Sequence, residues 1–205
     1  MRFIMLVLAA AFLLPALVPG PVRADVDIGV SIGEEGLKGF YFAVGDYFRV
    51  PETEVLVVKN RRIPSEEVPV VFFIAQRAGV GYSAVIDLRL KGLSWVDISV
   101  RLGQGPDIFY VPVKGVKGPP YGKAYGYYAK KGAKTAPLGD DDVVNLVNLK
   151  FLSEHYSVEP EVVIELRSGG KDFVNINDDI KKRKKGKGDN DKGNNKGEKG
   201  RGKKK

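Results

Sequence analysis

An internal repeat constrains the fold of this chain more than any other feature of its 205 residues. When the sequence is shifted against itself by 78 residues, segment 84–98 aligns with segment 162–176, and seven of the 15 aligned positions are identical. Average composition gives about one identity by chance over that length. The alignment continues without a gap and pairs Phe73 with Phe151. We therefore expect two copies of one folding unit.

Each copy has the pattern of three helices. The recurring apolar residues are spaced to face inward, a glycine stands where each second helix should end, and Ser94 or Asp172 stands where the third helix should begin. The sequence predicts equivalent structural positions for Val85, Leu88, Arg89, Gly92, Trp95 and Ile98 in the first copy and Val163, Leu166, Arg167, Gly170, Phe173 and Ile176 in the second.

The recurring arginines, Arg89 and Arg167, are not explained by packing of apolar side chains. Each could pair with a neighbouring carboxylate or lay its aliphatic stem over the core. Each could instead present a guanidinium to a bound ligand. Both interpretations remain open at this point.

Outside the repeats, short runs have the composition of β-strands. Aromatic and β-branched residues predict strands at 26–32, 40–44, 54–58 and 108–113. The expected fold class is therefore α+β. The expected divisions are a signal peptide at 1–24, a small N-terminal β region at 25–63, the first helical repeat at 64–103, a strand and Gly/Tyr/Lys-rich loop at 104–137, the second helical repeat at 138–180, and a disordered basic tail at 181–205.

The first 24 residues have the pattern of an export signal. Arg2 precedes an apolar run from Ile4 to Val18, and the sequence Val22-Arg23-Ala24 fits a cleavage site before Asp25. The run is short for a helix that must cross about 30 Å of hydrocarbon. We expect a periplasmic or extracellular mature protein, with an uncleaved anchor helix as the alternative.

The positive charge of the chain is concentrated at its C-terminal end. Residues 181–205 carry 13 basic and 3 acidic side chains, whereas residues 25–180 carry 18 basic and 22 acidic ones. Basic tails bind polyanions by releasing counterions. Outside the cytoplasm, the candidate partners are lipopolysaccharide, anionic lipid, anionic polysaccharide and extracellular DNA. A solubilising tail without a partner is the alternative. The candidate contacts in the tail are Lys181, Lys182, Arg183, Lys184 and Lys185.

A second candidate contact region lies in the loop before the second repeat. There, aromatic side chains alternate with lysines, a composition that suits stacking on sugars or bases. The alternative is a connection whose tyrosines pack back onto the core. The candidate contacts in this loop are Tyr121, Tyr125, Tyr127 and Tyr128.

Little in the sequence indicates catalysis. The chain has no cysteine and one histidine, which excludes thiol enzymes, cysteine-ligated metal sites and histidine clusters. His155 has no patterned nucleophile around it, and Asp140-Asp141-Asp142 suits a helix start better than the spaced ligands of a calcium loop. We therefore predict no catalytic residue, no metal and no cofactor.

Three segments resemble a set of exported bacterial proteins of unknown function. They are the V-I-x-L-R-x-x-G-x-S-W-x-x-I run at 85–98, the Gly-Pro-Asp-Ile-Phe-Tyr-Val-Pro-Val segment at 105–113, and the segment GPPYGKAYGYY at 118–128. The resemblance implies export and no particular activity.

The sequence as a whole favours a non-enzymatic envelope interaction module. The alternatives are an envelope hydrolase with an unlocated site, and a polyanion or nucleic-acid binder that acts through the basic tail.

Overall fold

All regular secondary structure in residues 35–113 and 138–194, the part of the chain described by this computed structural model, is helical. Side chains are described as far as Gly186. In chain order the helices are α1 (Glu35–Phe48), α2 (Glu52–Asn60), α3 (Val68–Ala78), α4 (Tyr82–Leu90), α5 (Trp95–Arg101), α6 (Asp140–Tyr156), α7 (Pro160–Ser168) and α8 (Phe173–Asn194), with 3₁₀ turns at Ser65–Glu67 and Pro106–Phe109.

The α+β fold class predicted from the sequence is wrong, because the described part of the predicted N-terminal β region forms α1 and α2. In α1, Phe40, Val44 and Phe48 recur every four residues and are buried, whereas Phe42 between them is 61% exposed. The aromatic and β-branched composition suggested strands, but the helical spacing of the buried residues determines the structure. The strand predicted at 26–32 lies outside the described residues.

The strand predicted at 108–113 is also wrong. Residues Pro106–Phe109 form a 3₁₀ turn, and the chain after it is extended without a strand partner among the described residues. Phe109 and Val111 are buried, with 1% and 6% exposure. The apolar composition of this segment therefore reflects packing against helices and not pairing in a sheet.

The two copies of the repeat match over their second helices and at the start of their third helices. The second helices, α4 and α7, span equivalent residues, and the third helices, α5 and α8, begin at Trp95 and Phe173. Gly92 and Gly170, which follow the second helices, both have a φ of 87°. Because side chains disfavour this left-handed region, glycine is the suitable residue at both positions.

The first helices of the two copies, α3 and α6, form the centre of the molecule. Both are buried around most of their circumference, and they pack against each other. A helix that buries most of its circumference requires such a central place. Helix α1 packs on α8 and on α2, and its Phe40 and Phe48 contact Phe151 of α6 through ring centroids 5.8 and 6.2 Å apart.

Helix α8 continues past Ile180, where the second repeat was expected to end, and reaches Asn194. The first part of the predicted disordered tail is therefore helical. The first copy has Gly103 at the position equivalent to Lys181, with a φ of 79°, and its helix stops there. In the second copy no glycine interrupts the helix at this point. Residues 195–205 lie outside the described part.

Candidate functional site

Arg89 joins the two copies of the repeat at a half-buried position. Its Nη2 lies 2.9 Å from Oε1 of Glu67, and its Nη1 lies 2.5 Å from Oδ2 of Asp140. Nη1 also donates to the carbonyl oxygen of Leu93, 3.1 Å away. Burial lowers the pKa of Arg89, but the hydrogen bonds to the two carboxylates outweigh burial, so the pKa is raised above its ordinary value.

Arg167 repeats this arrangement in the second copy. Its Nη1 donates to the carbonyl oxygen of Lys171 over 3.0 Å, and its Nη2 lies 3.8 Å from Oε2 of Glu66. At the position equivalent to Glu67 the second copy has Asn145, whose Oδ1 accepts from Nε of Arg167 over 3.3 Å. The second site therefore has the same geometry with one charge fewer.

Each arginine also covers the large aromatic residue that begins the third helix. The guanidinium carbon lies 4.4 Å from the ring centroid of Trp95 for Arg89, and 4.6 Å from that of Phe173 for Arg167. Both distances are within the range of cation–π contacts. Of the two interpretations open for these arginines, the structure shows carboxylate pairing and packing over the core.

The carboxylates in these contacts are exchanged between the copies. Asp140, from the second copy, accepts the backbone N–H of Trp95 in the first copy over 2.8 Å. Glu66, from the first copy, accepts the backbone N–H of Phe173 in the second copy over 2.6 Å. Each copy thus supplies a carboxylate that caps the other copy's third helix and binds the other copy's arginine.

His155 lies at the C-terminal end of α6, between α1 and α8. Its Nδ1 is 3.6 Å from Oδ2 of Asp46, and its ring contacts the rings of Phe151 and Tyr156. Burial lowers the pKa of His155; Asp46 partly opposes this effect, and the positive charge of Lys184 adds to it. These surroundings keep the imidazole neutral at pH 7 and hold it as a packing residue.

A hydrogen-bonded chain lies beside His155. The hydroxyl of Tyr47 donates to Oε2 of Glu154 over 2.5 Å, and Nζ of Lys150 donates to the other carboxylate oxygen over 2.7 Å. Burial raises the pKa of Glu154, but the hydrogen bonds from Lys150 and Tyr47 outweigh it, so the pKa is lowered. Glu154 is therefore an ionised acceptor with its partners in place.

A shallow pocket of about 260 Å³ lies where α1 turns into α2. Its lining includes the exposed ring of Phe42 and the charged side chains of Asp46, Arg49 and Glu52. Arg49 ends α1 with a φ of 57°, a conformation more typical of glycine. Sequence reasoning missed this pocket, because it had assigned the segment to strands.

The basic residues singled out from the sequence, Lys181–Lys185, all have exposed side chains; we call them the basic segment. Nζ of Lys182 lies 2.6 Å from Oδ2 of Asp178 on the same helix. Nζ of Lys184 donates to the carbonyl oxygen of Tyr156, near the end of α6. The basic segment thus lies on the surface of the folded body, with Lys184 in contact with the end of α6. Tyr121, Tyr125, Tyr127 and Tyr128 lie outside the described residues.

No group of three or more His, Asp or Glu side chains in the described residues is arranged to hold a metal ion. Among the helices of those residues, none combines the length and apolar character needed to cross a membrane.

Comparison with protein-family models, curated proteins and solved structures finds no match to this chain. The class of protein is therefore defined by the geometry alone. In its described part it is an all-helical protein in which two helices precede a duplicated three-helix unit, whose copies exchange carboxylates at two arginine sites.

Proposed function

We propose that this chain is an exported interaction protein without catalytic activity, and that its basic segment binds anionic partners. The observation that carries the proposal is the exposure of all five cationic side chains of Lys181–Lys185 on a helix whose preceding turns are packed into the fold. Closely spaced, solvated cations attract polyanions chiefly by counterion release.

The distribution of charge supports the same proposal. Residues 25–180 carry four more acidic than basic side chains, so the excess positive charge lies in 181–205. Attraction to a negatively charged partner is therefore directed to one end of the molecule. Ile180, the residue before the basic segment, is 2% exposed, which anchors that end to the core.

The hydrolase alternative gains no support from the carboxylates that meet in the described residues. Glu66, Glu67 and Asp140 are bound to arginines, and Glu66 and Asp140 also accept the backbone N–H groups that they cap. A catalytic pair would have to converge on open space for a substrate. These carboxylates instead join the two copies of the repeat.

The binding proposal is tested with two variants of equal charge change. In the basic-segment variant, Lys182, Arg183 and Lys185 are replaced by Gln, which leaves the contact of Lys184 in place. In the control variant, Arg62, Lys91 and Arg101, three exposed cations elsewhere, are replaced by Gln. The measurement is the salt concentration at which each variant elutes from immobilised heparin. We expect this concentration to decrease clearly more in the basic-segment variant than in the control. Equal loss in both variants would show that only net charge matters and would contradict the proposal.

Export is tested separately by N-terminal sequencing of protein from the periplasmic and culture fractions. The expected mature N-terminus is Asp25. An intact Met1 on protein found only in the cytosol would contradict export.

A further inference from the structure

Resting on the proposed function, we propose that the anionic partner is a linear polymer of closely spaced phosphate charges, and not a lipid bilayer. Polyphosphate and nucleic acid both offer this chemistry. The argument rests on how the five cations of the basic segment are distributed around and along helix α8.

The cations surround the helix. Successive residues of an α-helix are rotated by about 100°, so five consecutive cations point in all directions around the axis. Each of the five side chains is exposed. A flat surface can approach a helix from one side only, so it would reach about three of them. A flexible chain that wraps the helix can contact four of them directly, and Lys184 as well once its ammonium leaves the carbonyl oxygen of Tyr156.

The spacing of the charges along the axis also fits a polymer. An α-helix rises about 1.5 Å per residue, so the basic segment carries about one positive charge per 1.5 Å. Duplex DNA carries about one negative charge per 1.7 Å of its axis. The basic segment is therefore at least as densely charged as the duplex, and about twice as densely charged as a single strand, which carries one charge per about 3.4 Å.

The segment lacks the apolar side that binding in a bilayer interface requires. From Lys181 to Asn194 the sequence is KKRKKGKGDNDKGN, without one apolar side chain apart from glycine. Interfacial helices bind by burying an apolar face, and charge attraction adds to that burial. Helix α8 beyond Ile180 can offer a membrane only the charge attraction.

The contact that holds Lys182 is weak enough to be given up. Lys182 pairs with Asp178 at the surface, with 73% of the lysine side chain exposed. Exposed pairs four residues apart on a helix contribute little to stability, because water screens both charges. A phosphate chain can therefore replace Asp178 as the partner of Lys182 at little cost.

The experiment compares three probes with the full-length mature protein. Fluorescently labelled polyphosphate and a 20-nucleotide single-stranded DNA represent the polymers, and vesicles with about one third phosphatidylglycerol represent the bilayer. At equal total phosphate charge and 100 mM salt, we expect at least one polymer to bind at least tenfold more tightly than the vesicles. Binding of only one polymer would identify the source of the phosphate.

Salt dependence provides the second measurement. Each phosphate contact contributes about 0.7 to 0.9 to the slope of log K against log salt. The basic-segment variant should therefore lower the slope for the polymer by about 2 to 3, whereas the control variant should leave it unchanged. Vesicle binding as tight as polymer binding would overturn this inference but keep the proposed function. Binding to no probe would overturn both.

Discussion

The guanidinium of Arg89 lies 4.4 Å from the ring centroid of Trp95, and the same side chain bonds two carboxylates from the two copies of the repeat. One residue thus covers the largest fully buried aromatic side chain of its own copy and reaches the other copy through Asp140. Arg167 and Phe173 reproduce the arrangement at 4.6 Å. The recurrence of arginine next to a recurring aromatic residue is therefore explained by the packing of one copy against the other.

Truncation of Trp95 should be severely destabilising, and its replacement by Phe should not. Trp95 is fully buried, so Trp95→Ala should cost about 3–5 kcal/mol in urea unfolding followed by circular dichroism. Phe fills the equivalent place in the second copy, and Trp95 Nε1 has no hydrogen-bond partner within the described structure. We expect Trp95→Phe to cost less than about 2 kcal/mol. A similar cost for both substitutions would contradict the equivalence of Trp95 and Phe173.

The two arginine sites should differ in energy. Arg89 pairs with two carboxylates at 2.9 and 2.5 Å, whereas Arg167 has one at 3.8 Å and the neutral Asn145. Removing one partner from a largely buried pair leaves uncompensated charge. We expect Arg89→Met to cost about 2–4 kcal/mol and Arg167→Met about half as much, both measured by urea unfolding. A larger loss for Arg167→Met would show that the charges do not determine the ranking.

Substitution of the glycines that follow the second helices should destabilise the protein because of backbone conformation alone. At Gly92 and Gly170, φ is 87° and an added Cβ would meet nothing within 4 Å. Ala at either position should therefore cost about 1–2 kcal/mol, the left-handed penalty for a residue with a side chain. The matched control is Gly81→Ala, since Gly81 has a φ of −67°. In thermal unfolding, the control should keep the unfolding temperature of the unsubstituted protein. An equal decrease in all three variants would contradict the explanation.

Stability should fall as the solution is acidified between pH 7 and pH 5. Burial lowers the pKa of His155 in the folded state below the ordinary value near 6.5. The unfolded chain therefore binds the proton more readily than the folded chain does. The contribution of His155 to the free energy of unfolding is thus complete above pH 6.5 and decreases as the pH falls below that value. His155→Gln should have a flatter profile in urea titrations at pH 5, 6, 7 and 8. The same slope in the variant would assign the effect to other groups.

Local features of the sequence determined much of the repeat. The matching segments, the glycines at positive φ and the capping residues can each be recognised within a short stretch of sequence. Oγ of Ser94 accepts from the N–H of Asp97 over 3.1 Å, and Oδ1 of Asp172 accepts from that of Asn175 over 2.7 Å. Caps and helix ends depend on neighbours within about four residues, so a single sequence reveals them.

The candidate site could not be predicted in the same way. The sequence indicates for Asp140 only the role of an acidic residue at a helix start. The contacts that the carboxylates of Glu66 and Asp140 make with the other copy connect residues far apart in the chain. Phe173 and Glu66, for example, are 107 positions apart. No periodicity within one segment records which carboxylate will meet which arginine, because that is decided when α3 and α6 pack together.

The sequence by itself determined where the second helices of the repeat end and where the third helices begin, because those signals are local. Only the tertiary structure decided that 35–60 is helical, since Phe40 and Phe48 acquire a buried partner, Phe151, in the folded chain. It also decided that α8 continues into the basic segment, since α1 packs along α8 and anchors the turns before Lys181. The local preference of a segment for strand or for disorder is weak. Burial of apolar side chains against distant helices contributes more free energy than such a preference does.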